Sequence, residues 1–233
     1  MVGDAGLTET FLAQALSAYQ AFTAKLVAAT AEADPHWSRV QAGVGLLRLC
    51  ALPRLLHFFR ALPPDATAAF AADADAATLE AFEKILTAKL TTSAQENQAA
   101  LPTRLGGCGM LRFKELRAQA WLGSWLQVLP AVRSLGGPGV ASHAVVQAGS
   151  QGWAAALQQA TSELAEEGVH LDQAGGVTAN APGAPWLWED GAPALLQRQR
   201  LLSRRRAEAA RDLPLGTLDA AHRACLRACG GPG

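Results

Sequence analysis

Residues 101–125, LPTRLGGCGMLRFKELRAQAWLGSW, carry the glycines and cations that could most readily bind an anion. Gly106, Gly107 and Gly109 could form a phosphate-binding loop, because such loops aim successive backbone N–H groups at a phosphate. Loops of this kind usually follow a buried strand and often end in Gly-Lys-Ser/Thr, and this passage has neither feature. The glycines therefore predict positive φ angles or close packing just before a helix that begins near Phe113.

Cations surround these glycines, and only Glu115 opposes them within the passage. We call these cations the basic cluster: Arg104, Arg112, Lys114 and Arg117. Several Lys or Arg side chains in register bind phosphates in a salt-dependent, sequence-independent manner. The cluster therefore predicts contact with a nucleic-acid backbone, with the last three side chains facing solvent near the helix start. A solvated helix face without a ligand is the alternative interpretation.

The two tryptophans that follow the basic cluster, and a second basic run later in the chain, can each be interpreted as a nucleic-acid contact or as ordinary structure. Trp121 and Trp125 lie four residues apart on one helix face, a spacing that favours core packing over a base-stacking platform. A second basic run, RQRLLSRRR at residues 198–206, could contact phosphates or could form a solvated face.

The histidines and cysteines do not predict a metal site. His222, Cys225 and Cys229 share one helical face at spacings of three and four, so three ligands could converge there. A structural zinc site needs four ligands and usually contains a closer cysteine pair. We therefore predict two ordinary thiols at a helix end and no metal or other cofactor. Cys50 and Cys108 lie among apolar residues and are expected in the core.

Catalytic patterns are missing from the sequence. It contains no Gly-x-Ser-x-Gly elbow, and its 5 histidines have no neighbouring pattern that suggests the base of a nucleophile. Two-metal nucleotidyl transfer uses clustered carboxylates, yet no two aspartates are adjacent in the chain. The residues therefore predict a protein that is not an enzyme.

Composition indicates an all-α protein. Helix formers dominate the 233 residues, whereas runs of Val, Ile, Thr and Tyr are almost missing. The 20 basic residues balance 20 acidic ones, so any nucleic-acid binding must be local. The acidic N-terminal stretch is unlike a secretory signal, and the longest charge-free stretch is too rich in Gly, Gln and Ser for a membrane span. We expect an intracellular protein with reduced cysteines and no membrane partner, without a choice between nucleus and cytoplasm.

Apolar spacing and prolines predict an irregular helical bundle in the first part of the chain. The first helix is expected to have Thr8 as its N-cap and to end at Pro35. A second helix breaks near Pro53, and a third continues until Pro63 and Pro64 stop it.

A fourth helix is expected to be capped by Asp65. Its core face follows the three-and-four spacing of an amphipathic helix. The residues expected on this face are Phe70, Leu79, Phe82, Ile85, Leu86 and Leu90. A further helix is predicted for residues 153–171, between Gly-, Ala- and Pro-rich linkers.

Three motifs, in this order, resemble the region downstream of the polymerase palm in reverse-transcriptase-like proteins of non-LTR retrotransposons. Residues 46–64 match a "PR…LLR…PP" helix of the thumb, residues 101–110 match an "LP…R.GGLGL" turn, and residues 120–125 match an "A.…ASW" helix. The terminal RACLRACGGPG contains the "GPG" of a later stretch in that family. The matching residues are Pro53, Arg54, Leu55, Leu56, Arg60, Pro63, Pro64, Leu101, Pro102, Arg104, Gly106, Gly107, Gly109, Ala120, Ser124 and Trp125.

Two departures from the family pattern stand within the turn. Cys108 and Met110 occupy positions where the family usually has leucines. The palm and its metal-binding aspartates would lie upstream of Met1, so the resemblance implies a non-catalytic fragment or remnant of a retroelement reverse transcriptase. Such a fragment would support weak, sequence-independent nucleic-acid binding at most.

The resemblance and the composition together imply three regions. We predict a helical thumb-like domain at residues 1–133, a Gly/Ala/Pro-rich linker region with one helix at 134–193, and an Arg-rich helical segment at 194–233. The alternative function is a stand-alone helical scaffold that binds a protein partner through exposed apolar surface, with no nucleic-acid role. A third is a small metal-dependent regulator that uses the carboxy-terminal Cys/His face.

Overall fold

The computed structural model describes residues 5–31, 39–103, 106–136, 152–166, 170–171 and 177–178. Helices dominate these residues, which confirms the all-α fold class. The described α-helices are α1 (Ala5–Ala31), α2 (Arg39–Leu46), α3 (Pro53–Ala61), α4 (Ala68–Leu86), α5 (Ser93–Ala100), α6 (Phe113–Gly136) and α7 (Gly152–Glu166). A π-helical turn, Leu47–Ala51, lies between α2 and α3. Two antiparallel strands of two residues each, β1 (His170–Leu171) and β2 (Val177–Thr178), complete the described structure.

The described residues divide into two compact units. Unit 1 contains those within residues 1–57 and 69–114, and unit 2 contains those within residues 58–68 and 115–209. The expected three-region division stays a prediction, because most of residues 134–233 lie outside the described part of the chain.

Tyr19 lies at the centre of unit 1. Its hydroxyl shares a 2.7 Å hydrogen bond with the Thr78 hydroxyl on α4. The Tyr19 ring meets the Phe113 ring edge-on, with 6.4 Å between centroids. Burial raises the pKa of Tyr19 to about 12, so the hydroxyl stays protonated at neutral pH. The residues of α1 that point inward are Leu12, Tyr19, Thr23, Leu26 and Thr30.

The predicted start of α1 is wrong. The helix begins at Ala5, so Thr8 lies within it and is not its N-cap. The Thr10 hydroxyl donates to the Gly6 carbonyl at 2.8 Å, a bond that a helical backbone permits one turn back. Residues 5–8 contain no proline, so nothing in this stretch prevents the helix from extending past the predicted cap to Ala5. Pro35, the predicted end, lies outside the described residues.

Residues 39–61 form one helical segment with a π-helical turn at its middle. The Leu52 N–H donates to the Leu47 carbonyl at 3.1 Å, which is the longer i to i−5 bond of a π-turn. Pro53 then occupies the first position of α3, where its missing N–H is not needed. At the predicted break near Pro53 the structure has a local change of helix type, from the π-helical turn to α3, within one continuous segment.

This segment has the length and composition of a membrane span. Within Arg39–Ala61 the mean hydropathy of an 18-residue stretch reaches 1.3, and 39% of that stretch is buried inside the protein. Core helices of water-soluble proteins satisfy the same criteria, so the segment is weak evidence for a membrane. Its buried row, which packs in unit 1, consists of Gly43, Leu47, Ala51 and Leu55.

Two glycines in α2 have different surroundings. A methyl group on Gly43 would lie 2.7 Å from Cγ2 of Ile85 on α4, so Gly43 permits close helix packing. A methyl group on Gly45 would meet no atom within 4 Å. The packing of the described residues therefore explains Gly43 and gives no reason for Gly45.

Helix α4 begins three residues later than its predicted cap. The Thr67 hydroxyl donates to the carbonyls of Pro63 and Pro64, which extends the turn after α3. Asp65 lies in this turn, and the helix begins at Ala68. The predicted core residues Phe70, Phe82 and Ile85 are buried, whereas Leu79, Leu86 and Leu90 are half-buried.

Other predictions from local patterns have mixed outcomes. Cys50 is exposed and Cys108 is half-buried, so their placement in the core is wrong. Cys50 lies on the outer side of the π-helical turn, and apolar sequence neighbours do not reveal which side of a helix is covered. Burial raises the pKa of the Cys108 thiol. The helix predicted for residues 153–171 ends at Glu166, and Leu171 belongs to β1.

Candidate functional site

The glycine passage forms a tight turn whose backbone bonds stay within unit 1. The Gly109 N–H donates to the Leu101 carbonyl at 2.8 Å, and the Gly107 N–H donates to the Pro102 carbonyl at 3.2 Å. The Met110 N–H donates to the Ala99 carbonyl at 3.0 Å, which fixes the turn against the end of α5. These N–H groups already have acceptors, so the turn does not present the set of free donors that a phosphate cradle requires.

Glycine is necessary at three positions of this turn, as predicted. Gly106 and Gly109 have φ angles of 83° and 72°, in the region that side chains with a Cβ rarely adopt. A Cβ on Gly107 would lie 2.0 Å from the Leu101 carbonyl oxygen. The turn is therefore a packing junction, in agreement with the sequence-based interpretation.

The N-terminus of α6 is capped by a carboxylate from α4. Asp75 accepts from the backbone N–H groups of Phe113 at 2.6 Å and Lys114 at 2.9 Å, one through each oxygen. A helix N-terminus attracts anions, and here an internal carboxylate takes that position. The start near Phe113 is confirmed, but sequence reasoning missed Asp75. The cap lies 38 residues before Phe113, so no local motif indicates it.

Arg112 is held by side chains of α5. Its Nη1 donates to Oδ1 of Asn97 at 2.6 Å, and its Nη2 lies 3.5 Å from a Glu96 oxygen. The exposed fraction of the Arg112 side chain is 27%. The expectation that Arg112 faces solvent is therefore wrong, because its guanidinium packs back onto the preceding helix.

Arg117 is held within unit 2. Its Nη1 donates to the Pro64 carbonyl at 2.6 Å, and its Nη2 lies 3.1 Å from the Glu163 carboxylate on α7. The exposed fractions of the Arg117 and Glu163 side chains are only 15% and 22%. The expectation that Arg117 faces solvent is also wrong, because an acidic residue from a distant helix pairs with it.

Unit 2 contains two buried donors on one face of α6. Nε of Arg117 and Nε1 of Trp121 have no hydrogen-bond acceptor in the part of the chain that the structure describes. Trp121 is buried and packs edge-on against Trp125, with 5.7 Å between ring centroids. This pair belongs to the packing of unit 2, as its spacing predicts.

Only part of the basic cluster remains available to a ligand. Lys114 is exposed on the first turn of α6, as predicted. Arg104 lies outside the described residues, as do the basic run 198–206 and the predicted helix end with His222 and the thiols of Cys225 and Cys229. Arg112, Lys114 and Arg117 are close in sequence, but their side chains have different environments in the structure. Their binding to nucleic acid stays a prediction.

The geometry supports structural roles more directly than chemical ones. In the described ranges, no three His, Cys, Asp or Glu side chains come together as a metal-binding group. A groove of about 320 Å³ between α1 and α4 is lined by four alanines among nine residues, and the Glu80–Lys84 ion pair also lines it. No protein-family model, curated protein or solved structure matches this chain.

Proposed function

We propose that this chain is a non-catalytic helical module from a retroelement reverse transcriptase, derived from the region downstream of the palm. The observation that supports it best is the role of the residues that carry the resemblance. Pro53 starts a helix, Gly107 and Gly109 close a turn, and Ala120 is buried in α6. These residues therefore have structural roles that require no catalytic site.

The proposed interaction with nucleic acid is weak and independent of sequence. Arg112 and Arg117 use their guanidinium groups inside the protein, so the basic cluster retains Lys114 and Arg104 as candidates for phosphate contact. Each contact releases condensed counterions, and the salt dependence of binding reports how many contacts form. This role requires no metal or organic cofactor.

Binding to an RNA–DNA hybrid tests the proposal. With two phosphate contacts, the slope of log K against log salt should be no steeper than about −1.8, at ~0.9 per contact. The expected dissociation constant is about 10⁻⁴ to 10⁻⁶ M at physiological salt. Lys114→Ala should flatten the slope by about 0.9, as fluorescence anisotropy across a salt series would measure.

Lys84→Ala is the matched control, because Lys84 is also exposed but pairs with Glu80 on its own helix. This variant should leave the slope unchanged. Absence of binding at low salt would refute the nucleic-acid part of the proposal. A slope near −3.6, equivalent to about four contacts, would show that Arg112 and Arg117 contact phosphates despite their hydrogen bonds within the protein.

A further inference from the structure

The helical segment Arg39–Ala61 presents an exposed side within unit 1. Opposite its buried row, residues at spacings of three, four and seven are exposed to solvent. We call them the outer face: Arg39, Leu46, Leu49, Cys50, Pro53 and Arg54. Leu46 and Leu49 are 45% and 66% exposed, so two large apolar side chains lie in water one turn apart. The two neighbouring leucines form a small apolar patch at the middle of the segment, which a partner could cover.

Gly45 adds an independent observation at the same place. Glycine within a helix costs about 1 kcal/mol relative to alanine, and the described packing gives no reason for it at this position. Gly45 precedes Leu49 by four residues, so it leaves open space beside that leucine. A second helix could approach the backbone closely there.

The positive charge around the outer face favours an acidic partner. Residues 39–64 contain arginines but no aspartate or glutamate. Arg39 donates to the Ala31 carbonyl at 3.1 Å, and the Arg54 guanidinium lies 3.8 Å above the Phe22 ring. These contacts hold two cations at the two ends of the apolar pair. A rise of ~1.5 Å per residue places their Cα atoms about 22 Å apart.

We propose that the outer face binds an acidic amphipathic helix of a partner protein. Apolar side chains of that helix cover Leu46 and Leu49 beside Gly45, and carboxylates near its ends pair with Arg39 and Arg54. A phosphate backbone fits less well because covering the two leucines would strip water from charged phosphates and give the leucines no apolar partner. A lipid surface also fits less well: although the segment has the composition of a membrane span, one apolar row is buried in unit 1, and the outer face offers two leucines for insertion. This inference goes beyond nucleic-acid binding and does not depend on it.

The test uses the full chain and a designed helical peptide. The probe is a fluorescein-labelled peptide of about 18 residues, ~27 Å as a helix, with leucines on one face and glutamates on the other. We expect saturable binding by anisotropy that weakens as salt rises. Leu49→Glu should weaken it by at least ~10-fold, and Gly45→Leu by a similar factor because it fills the space beside Leu49. Leu49 is exposed, and a Cβ on the half-buried Gly45 would meet no atom within 4 Å, so the fold should be retained in both variants.

Leu7→Glu is the matched control, since Leu7 is an exposed leucine on α1, away from the outer face in sequence. It should leave peptide binding unchanged. The inference is overturned if the acidic peptide does not bind, or if a lysine version of the peptide binds equally well. It is also overturned if Leu49→Glu and Leu7→Glu have the same effect, or if Gly45→Leu has none. Preferential binding to phosphatidylserine vesicles or to the RNA–DNA hybrid through this face would likewise replace the proposed partner.

Discussion

Replacing Gly107 with alanine is expected to lower the free energy of unfolding by about 3–4 kcal/mol. The new Cβ would lie 2.0 Å from the Leu101 carbonyl oxygen and 2.5 Å from the Leu101 carbonyl carbon. Both are backbone atoms, so no side-chain rotation can relieve the overlap. Moving the two backbone segments of the turn apart to relieve this overlap would also stretch the 2.8 Å hydrogen bond between the Gly109 N–H and the Leu101 carbonyl. Urea unfolding followed by far-UV circular dichroism measures the change.

Gly45→Ala provides the control for Gly107→Ala within the same unit. Its Cβ would meet no atom within 4 Å, so alanine should stabilise the helix by up to ~1 kcal/mol. If the free energy of unfolding of Gly107→Ala lies within ~1 kcal/mol of the wild-type value, the turn does not have this geometry.

The second large effect is expected for Arg117→Ala, with a loss of about 2–4 kcal/mol. Removal of the guanidinium leaves the Pro64 carbonyl without its 2.6 Å donor and leaves the Glu163 carboxylate, 22% exposed, without its cation. A charge or carbonyl left unpaired under the surface costs more than the ion pair contributes when intact. Tryptophan fluorescence during urea unfolding is a suitable probe because Trp121 lies one turn away on the same helix.

Lys84→Ala is the control for Arg117→Ala. The Lys84–Glu80 pair is short, at 2.6 Å, but its side chains are 58% and 61% exposed, so its loss should cost less than ~0.5 kcal/mol. The double variant Arg117→Ala/Glu163→Ala should lose less than the sum of the two single changes, since it leaves no unpaired carboxylate. Equal small losses for Arg117→Ala and Lys84→Ala would mean that Arg117 is an ordinary surface cation.

Features set by local chemistry could be predicted from the sequence. The dominance of helix formers indicates the all-α fold, and the three glycines before Phe113 indicate a turn with positive φ angles. The spacing of Trp121 and Trp125 indicates core packing; Trp121 is buried, whereas Trp125 is half-buried and meets it edge-on. Each of these properties depends on a residue and its neighbours within one or two turns.

The environments of the arginines could not be predicted, because their partners come from other helices. Arg112 looks solvated when only the passage around it is considered, yet Asn97 lies on α5. Arg117 pairs with Glu163 on α7, and Asp75 reaches α6 from α4. A sequence shows which residues carry charge, whereas tertiary packing determines which opposite charges meet. Cys50 shows the same limit, since apolar neighbours did not indicate its exposure.

A comparison of Arg112→Ala with Lys114→Ala tests most directly whether the glycine passage is a packing junction. These two cations lie two residues apart and look equivalent in sequence, but only Arg112 has a 2.6 Å bond to Asn97. The measurement is the difference in free energy of unfolding between the two variants under identical conditions. We expect Arg112→Ala to lose about 1–2 kcal/mol and Lys114→Ala to stay within ~0.5 kcal/mol of the wild type. Two variants that are both as stable as the wild type would contradict the junction and restore Arg112 as a solvent-facing cation.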